Sequence, residues 1–271
     1  MIDASTRVCC LIGDPVEHSP SPLIHNAGYE ALGINFIYVP LRVKNIKQAL
    51  DGIRGLGIRG ASVTMPHKIR AMRYLDEIDD VANEVGAVNT IVNNNGRLTG
   101  FNTDRGAALK ALGEVVTLEG KKAVIIGSGG AALAIATGLS KKGVSLVLLN
   151  RTPEKALELA RRVGAKDSGN LERLSVFSTA DILINTTPVG MWPSTDDSVV
   201  PGEFLHHQLT VFDVVYNPKE TRLLAEAREK GCTIVYGYKM LLYQAAEQFE
   251  LFTGFKAPLT AMENTLIAAL R

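Results

Sequence analysis

The sequence has no Cys-x-x-Cys pair, no His-Glu-x-x-His, no Gly-x-Ser-x-Gly elbow and no Gly-x-x-x-x-Gly-Lys-[Ser/Thr] loop. Each absence removes a class: redox or zinc-ribbon domains, zinc peptidases, α/β-hydrolases and P-loop nucleotide hydrolases. Cysteine is scarce, at Cys9, Cys10 and Cys232. An odd count without ligand spacing suits small core residues in a reducing cytoplasm, and no metal site is expected. An excess of one charge is also missing: 29 Lys+Arg against 28 Asp+Glu leaves +1, so nucleic acid is not an expected partner. No apolar run approaches the ~20 residues of a membrane span; residues 131–136 are among the longest. Residues 8–12 are too short for a leader and follow no basic segment. The expectation is a soluble, uncleaved, cytoplasmic chain that stays off membranes.

What is present is an ordinary globular composition, 46% hydrophobic and 21% charged over 271 residues. At roughly 150 residues per domain, that length allows one large domain or two modest ones. Short β-rich runs at 7–12, 36–41, 60–64, 87–93, 122–126, 145–150, 182–185, 210–215 and 233–236 alternate with helical stretches at 46–54, 106–112, 131–142, 153–163 and 221–230. Such alternation predicts an α/β fold with parallel sheets. Asn94-Asn95-Gly96-Arg97 breaks the spacing with a hairpin-type turn. A regular strand-helix series then begins at Lys121, which places a boundary near residue 105. Two helices close the chain, about 240–252 and 259–270, with no strand after them. The first ~105 residues have few long helices to cover their sheet, so these two are expected to return to it. The predicted organisation is a discontinuous domain, 1–104 plus 239–271, and a second domain, 105–238, facing each other across a cleft.

The strongest chemical signal is Gly127-Ser128-Gly129-Gly130-Ala131-Ala132, which follows an apolar strand and opens a helix. The spacing suits a tight turn, backbone N–H groups approaching a pyrophosphate, and close helix-strand packing. Dinucleotide enzymes specific for NAD carry Asp or Glu about 20 residues farther on. Here stands Asn150-Arg151-Thr152, whose guanidinium offers donors to a 2′-phosphate, so NADP is the expected cofactor. The same residues also suit a turn and an N-cap before Pro153. Near the N-terminus, Ser19-Pro-Ser21-Pro22 precedes a helical stretch. Ser21 there fits either an N-cap or half of a carboxylate site. Thr64, Lys68, Asn89 and Asp104 stand near other strand ends, the place where open α/β sheets bind ligands.

These residues together resemble the shikimate dehydrogenase family nearly end to end. The resemblance rests on Ser19-x-Ser21-Pro22-x-x-His25-Asn26, Val63-Thr64-x-Pro66-His67-Lys68, Gly86-Ala87-x-Asn89-Thr90, Asn102-Thr103-Asp104, Gly127-x-Gly129-Gly130-Ala131, Asn150-Arg151-Thr152, Asn185-Thr186-Thr187-Pro188-x-Gly190-Met191, Asp213-x-Val215-Tyr216-x-Pro218 and Gly237-x-x-Met240-Leu241-x-x-Gln244. It implies NADPH-dependent reduction of 3-dehydroshikimate to shikimate, with a substrate domain and an NADP-binding Rossmann domain. It assigns Ser19 and Ser21 to the substrate carboxylate with Tyr216 nearby, and Thr64, Lys68, Asn89, Asp104 and Gln244 to the ring hydroxyls. Lys68 is the expected acid/base with Asp104 as its partner. Gly127, Gly129, Gly130 and Ala131 would cradle the pyrophosphate, Asn150, Arg151 and Thr152 the 2′-phosphate, and Thr186, Gly237 and Met240 the nicotinamide end. The family usually carries Asn at Ser62 and Arg at Leu133, so a contact from that strand and part of the phosphate affinity are expected to be weaker here. A quinate-acting relative using NAD and a regulatory dinucleotide-binding module without turnover are the competing readings. The oligomeric state is left open, a homodimer included.

Overall fold

The computed structural model describes residues 2–270; the outermost limits of the expected domains, 1 and 271, lie outside them. The chain divides into two compact units. One takes in residues through Thr103 together with Leu242–Ala269, and the other takes in Asp104–Leu241.

The first unit contains β1 (Arg7–Gly13), α1 (Ser21–Ala31), β2 (Phe36–Arg42), α2 (Ile46–Gly55), β3 (Gly60–Val63), β4 (Glu77–Ile78), α3 (Asp80–Val85), β5 (Thr90–Asn94) and β6 (Arg97–Phe101). Its six-stranded sheet runs β2-β1-β3-β5-β6-β4. β1 pairs in parallel with β2 and β3, whereas β5 is antiparallel to β3 and β6. The turn after β5 has Asn95 at φ 52 and Gly96 at φ 90. Two successive positive φ angles match the twist of a two-residue hairpin, which explains the Asn-Gly pair. Apolar side chains of α2 (Ile46, Leu50, Ile53) pack on Cys10, Ile12, Ala61, Val63, Ile91 and Leu98 of the sheet.

The second unit contains α4 (Thr103–Gly113, from its second residue), β7 (Lys122–Ile126), α5 (Gly130–Lys141), β8 (Ser145–Leu149), α6 (Pro153–Val163), β9 (Asp167–Gly169), β10 (Ile182–Asn185), β11 (Thr210–Asp213), α7 (Arg222–Glu229) and β12 (Thr233–Val235). Its sheet is parallel throughout in the order β12-β11-β10-β7-β8-β9. That is a doubly wound Rossmann order, whose switch point falls between β7 and β10. α8 (Gly237–Thr253) starts in this unit and continues into the first, followed there by α9 (Leu259–Ala269).

α8 lies against the first unit's sheet and α1, and α9 against α1. A Cβ at Gly60 of β3 would collide with the Phe252 ring of α8, and one at Gly28 of α1 would press on Phe249 and Met262. Only glycine lets those backbones come so close. Two short strands, β4 and β9, escape the sequence pattern because two or three residues carry no readable alternation. No described helix is long and apolar enough to cross a membrane.

Candidate active site

In the first unit the candidate residues gather at the carboxyl ends of β1 and β3 and at the start of β5. A Cβ at Gly13, the last residue of β1, would strike Thr64 Cγ2. The Thr64 backbone N–H donates to Ile12 O at 2.9 Å, so β1 and β3 close tightly on each other and present Thr64 at the rim. Lys68 follows in the turn, with its carbonyl accepting from Val88 N at 2.9 Å. That bond ties the lysine's backbone to the segment leading into Asn89.

Asn89 is buried and held on several sides. Its Oδ1 accepts from Thr103 N at 2.8 Å and from the Thr90 hydroxyl at 2.9 Å. Its Nδ2 donates to Thr103 Oγ1 at 3.0 Å and to Gln244 Oε1 at 3.5 Å. Asn89 and Gln244, far apart in sequence, are therefore neighbours. Ser19 Oγ donates to Ser21 Oγ at 3.1 Å and accepts from Ser21 N at 3.3 Å. The capping reading of Ser21 is corrected: α1 begins at Ser21, Pro20 takes the N-cap position, and no side chain caps the helix. Pro20 supplies no hydroxyl, so the two serine side chains bond to each other beside the helix start.

Ser62, where the family usually has Asn, is buried on β3 and donates to Gln248 Oε1 at 2.7 Å. Sequence reasoning missed Gln248; its signal is a second glutamine one helical turn after Gln244, on a helix otherwise apolar on that side. His25 is fully buried and stacks on Tyr38 with ring centroids 4.2 Å apart. Neither ring nitrogen has a hydrogen-bond partner. Burial pushes the imidazole pKa down to about 3, with the nearby Gln248 side chain the weaker, opposing influence.

In the second unit the candidates cluster at the carboxyl end of the parallel sheet. Gly127 follows β7 at φ 114, and a Cβ there would collide with Thr186 Oγ1 just beyond β10. Both the conformation and the space demand glycine at the switch point. Gly129 is the uncapped N-cap of α5, and nothing lies within 4 Å of where its Cβ would be. With Gly130 and Ala131 it forms the first turn of α5, whose N–H groups have no intrahelical acceptor, a fit for a pyrophosphate. Arg151 and Thr152 are exposed just past β8. Asn150 shapes that turn by donating Nδ2 to Thr152 O at 3.0 Å; Thr152 is the N-cap of α6 by position, without a side-chain bond. Leu133 is 4% exposed and packs within the unit's interior.

A buried network joins β10 to β11. The Asp213 carboxylate accepts from Asn185 Nδ2 at 2.9 Å, Val215 N at 3.0 Å and the Thr221 hydroxyl at 2.7 Å. Asn185 Oδ1 in turn accepts from Thr187 N and Oγ1, at 2.9 and 2.7 Å. Burial raises the Asp213 pKa to about 6, against the pull of those donors. A Cβ at Gly237 would meet the carbonyls of Asp213, Val214 and Val215, so only glycine allows α8 to start against the end of β11. Met240 is buried in that first stretch of α8, and Tyr216 is half-buried just after β11, its phenol pKa raised by burial. Asp104 is buried in the first turn of α4 and belongs to this unit, whereas Lys68 belongs to the first.

Three family models match this chain: a shikimate dehydrogenase substrate-binding domain over residues 11–91, a shikimate/quinate 5-dehydrogenase over 108–213, and a shikimate 5′-dehydrogenase C-terminal domain over 237–267. The NADP(+) shikimate dehydrogenase of Methanobrevibacter smithii is 48% identical over 98% of each chain. The chain belongs to the shikimate dehydrogenase family. Its Moorella thermoacetica member is 44% identical over 99% of this chain and 95% of that one. A shikimate dehydrogenase crystal structure in complex with NADP+ superposes with a TM-score of 0.96 at 42% identity, covering 100% of this chain and 98% of that one. The Thermus thermophilus enzyme, in complex with NADP(H) and shikimate, gives 0.90 at 35% identity over 98% and 100%. The family's reach includes a quinate dehydrogenase from Corynebacterium glutamicum in complex with NAD, at a TM-score of 0.90 and 30% identity over 97% and 99%.

Proposed function

We propose that this chain reduces 3-dehydroshikimate to shikimate with NADPH, reversibly, in the biosynthesis of chorismate and the aromatic amino acids. The observation that carries the reading is a phosphate cradle at the β7/β10 switch point with Arg151, and no carboxylate, exposed just past β8. Its companion unit carries Ser19, Ser21, Thr64, Lys68, Asn89 and Gln244, whose hydroxyls, ammonium and amides form a donor set suited to a small polyhydroxy acid.

When bound, NADPH supplies the hydride. The chain's own residues handle the rest. Gly127, Gly129, Gly130 and Ala131 hold the pyrophosphate, Asn150, Arg151 and Thr152 the 2′-phosphate, and Thr186, Gly237 and Met240 the nicotinamide end. Ser19 and Ser21 bind the substrate carboxylate with Tyr216 assisting, and Thr64, Asn89 and Gln244 hold ring hydroxyls. As the carbonyl carbon gains hydride, its oxygen develops negative charge. The Lys68 ammonium stabilises that charge and delivers the proton, and shikimate oxidation returns the proton to Lys68. Asp104 is the partner that holds the reacting hydroxyl. The free thiols of Cys9, Cys10 and Cys232 support action in a reducing cytoplasm.

Turnover of shikimate and of quinate, each with NADP and with NAD, followed by nicotinamide absorbance, tests the reading. Shikimate with NADP is expected to be the fastest combination. Faster quinate turnover would make the chain a quinate dehydrogenase, and no turnover in any arm would leave a dinucleotide-binding module.

A further inference from the structure

β3 and α8 face each other rung by rung. Gly60 meets Phe252, and two residues along the strand Ser62 meets Gln248, one turn back along the helix. Two strand residues advance about 6.6 Å, and four helical residues about 6.0 Å. The steps nearly match, and one further step on each element reaches Thr64, just past β3, and Gln244, both assigned above to the substrate. Gln248 is thus the buried rung directly behind the substrate-binding one.

Its side chain, 1% exposed, is fully engaged and directional. Oε1 accepts from the Ser62 hydroxyl at 2.7 Å. Nε2 donates to Thr90 Oγ1 at 3.1 Å and to the Asn89 carbonyl at 3.3 Å. Because the Thr90 oxygen accepts from Gln248, its proton is directed onward to Asn89 Oδ1 at 2.9 Å. Asn89 Oδ1 is then held from inside the domain by Thr90 and Thr103, which turns its NH2 group toward Thr103 Oγ1 and Gln244 Oε1. An Asn in the opposite flip would set its NH2 against the Thr103 N–H, donor to donor.

We propose that Gln248 is a positioning residue for the substrate site: it acts through Thr90 to hold Asn89 with its amide nitrogen toward Gln244, the other amide assigned to the ring hydroxyls. This rests on the assignment of Asn89 and Gln244 to the ring hydroxyls. It also gives the shortened Ser62 a role, since a bulkier side chain there would displace the Gln248 carboxamide from the rung.

The test is Gln248→Met, similar in length but unable to make these bonds, with Thr90→Val as a second variant that keeps volume and removes only the relaying hydroxyl. Each is expected to raise the KM for shikimate about five- to ten-fold, the worth of one well-aligned hydrogen bond, with the KM for NADP unchanged and kcat within about three-fold. In an Asn89→Ala background, Gln248→Met should add nothing, because coupled residues are non-additive. Additive losses, or equal losses for both ligands, would overturn the proposal in favour of plain packing. A wild type that fails to turn over shikimate would refute the functional reading and not this one. The positioning is then read by NMR: the Asn89 side-chain NH2, identified by its loss in Asn89→Asp, should lose exchange protection in Gln248→Met, and unchanged protection would overturn it.

Discussion

Asn185 donates its amide to Asp213 Oδ1 at 2.9 Å, tying the last residue of β10 to the last residue of β11. Since the folded pKa of Asp213 is raised from 3.8 to about 6, the native state binds the extra proton in that interval. This site's contribution to stability is therefore full below pH 3.8 and is lost as pH rises through about 6. Asp213→Asn keeps an oxygen for Asn185 and Val215 and cannot titrate. Urea midpoints across that interval should lose this falling component in the variant. An identical pH profile would show that Asp213 does not titrate there.

His25 acts with the opposite sign. Its folded pKa is lowered from 6.5 to about 3, so its contribution is full above pH 6.5 and is lost as pH falls toward 3. His25→Phe fits the same aromatic nest and discards two partnerless nitrogens. We expect stability within about 1 kcal/mol of wild type at neutral pH, and a gain on the order of 2–4 kcal/mol near pH 4. Wild type and variant losing stability in parallel on acidification would refute this.

Lys68→Met should lower kcat by about 10²–10⁴, the range for a lost general acid, while cofactor titration by fluorescence stays near wild type. If only the KM for shikimate rose, Lys68 would be a binding group and Asp104 the leading proton carrier.

Arg151→Ala should weaken NADP by about 1.5–3 kcal/mol, the worth of a charge-assisted hydrogen bond, and NAD much less. Equal losses for the two cofactors would remove Arg151 from the 2′-phosphate site. The complementary Leu133→Arg carries a stability cost, because Leu133 is buried and an arginine there needs a path to solvent.

Ser21→Ala should raise the KM for shikimate and barely move the melting temperature. Its hydroxyl caps nothing, so the ~1 kcal/mol penalty of a lost cap is not expected. A clear drop in melting temperature with an unchanged KM would give Ser21 a structural role alone.

Much of this was legible in the sequence because its signals are local. The glycine turn after an apolar strand, Arg151 at the next strand's end and the Asn95-Gly96 hairpin each follow from neighbouring residues. Ser21 was open to misreading because a serine before a helix fits two roles, and only the placement of Pro20 decides. Gln248 went unread, and Asp213 entered only as part of a family motif. Their partners, Ser62, Thr90 and Asn185, lie on other elements, and no spacing along one strand or helix reveals a bond between two.

The close fit of Gly60 on Phe252 bears on the order of synthesis. The strand that meets Phe252 is made before the second unit, and the helix that covers it only after that unit. Asp104–Leu241, uninterrupted in sequence, is complete while its companion still lacks α9 and most of α8. During synthesis the uninterrupted unit is therefore complete first, and the His25 and Tyr38 side of the other unit's sheet stays uncovered until residues 242–269 have been made.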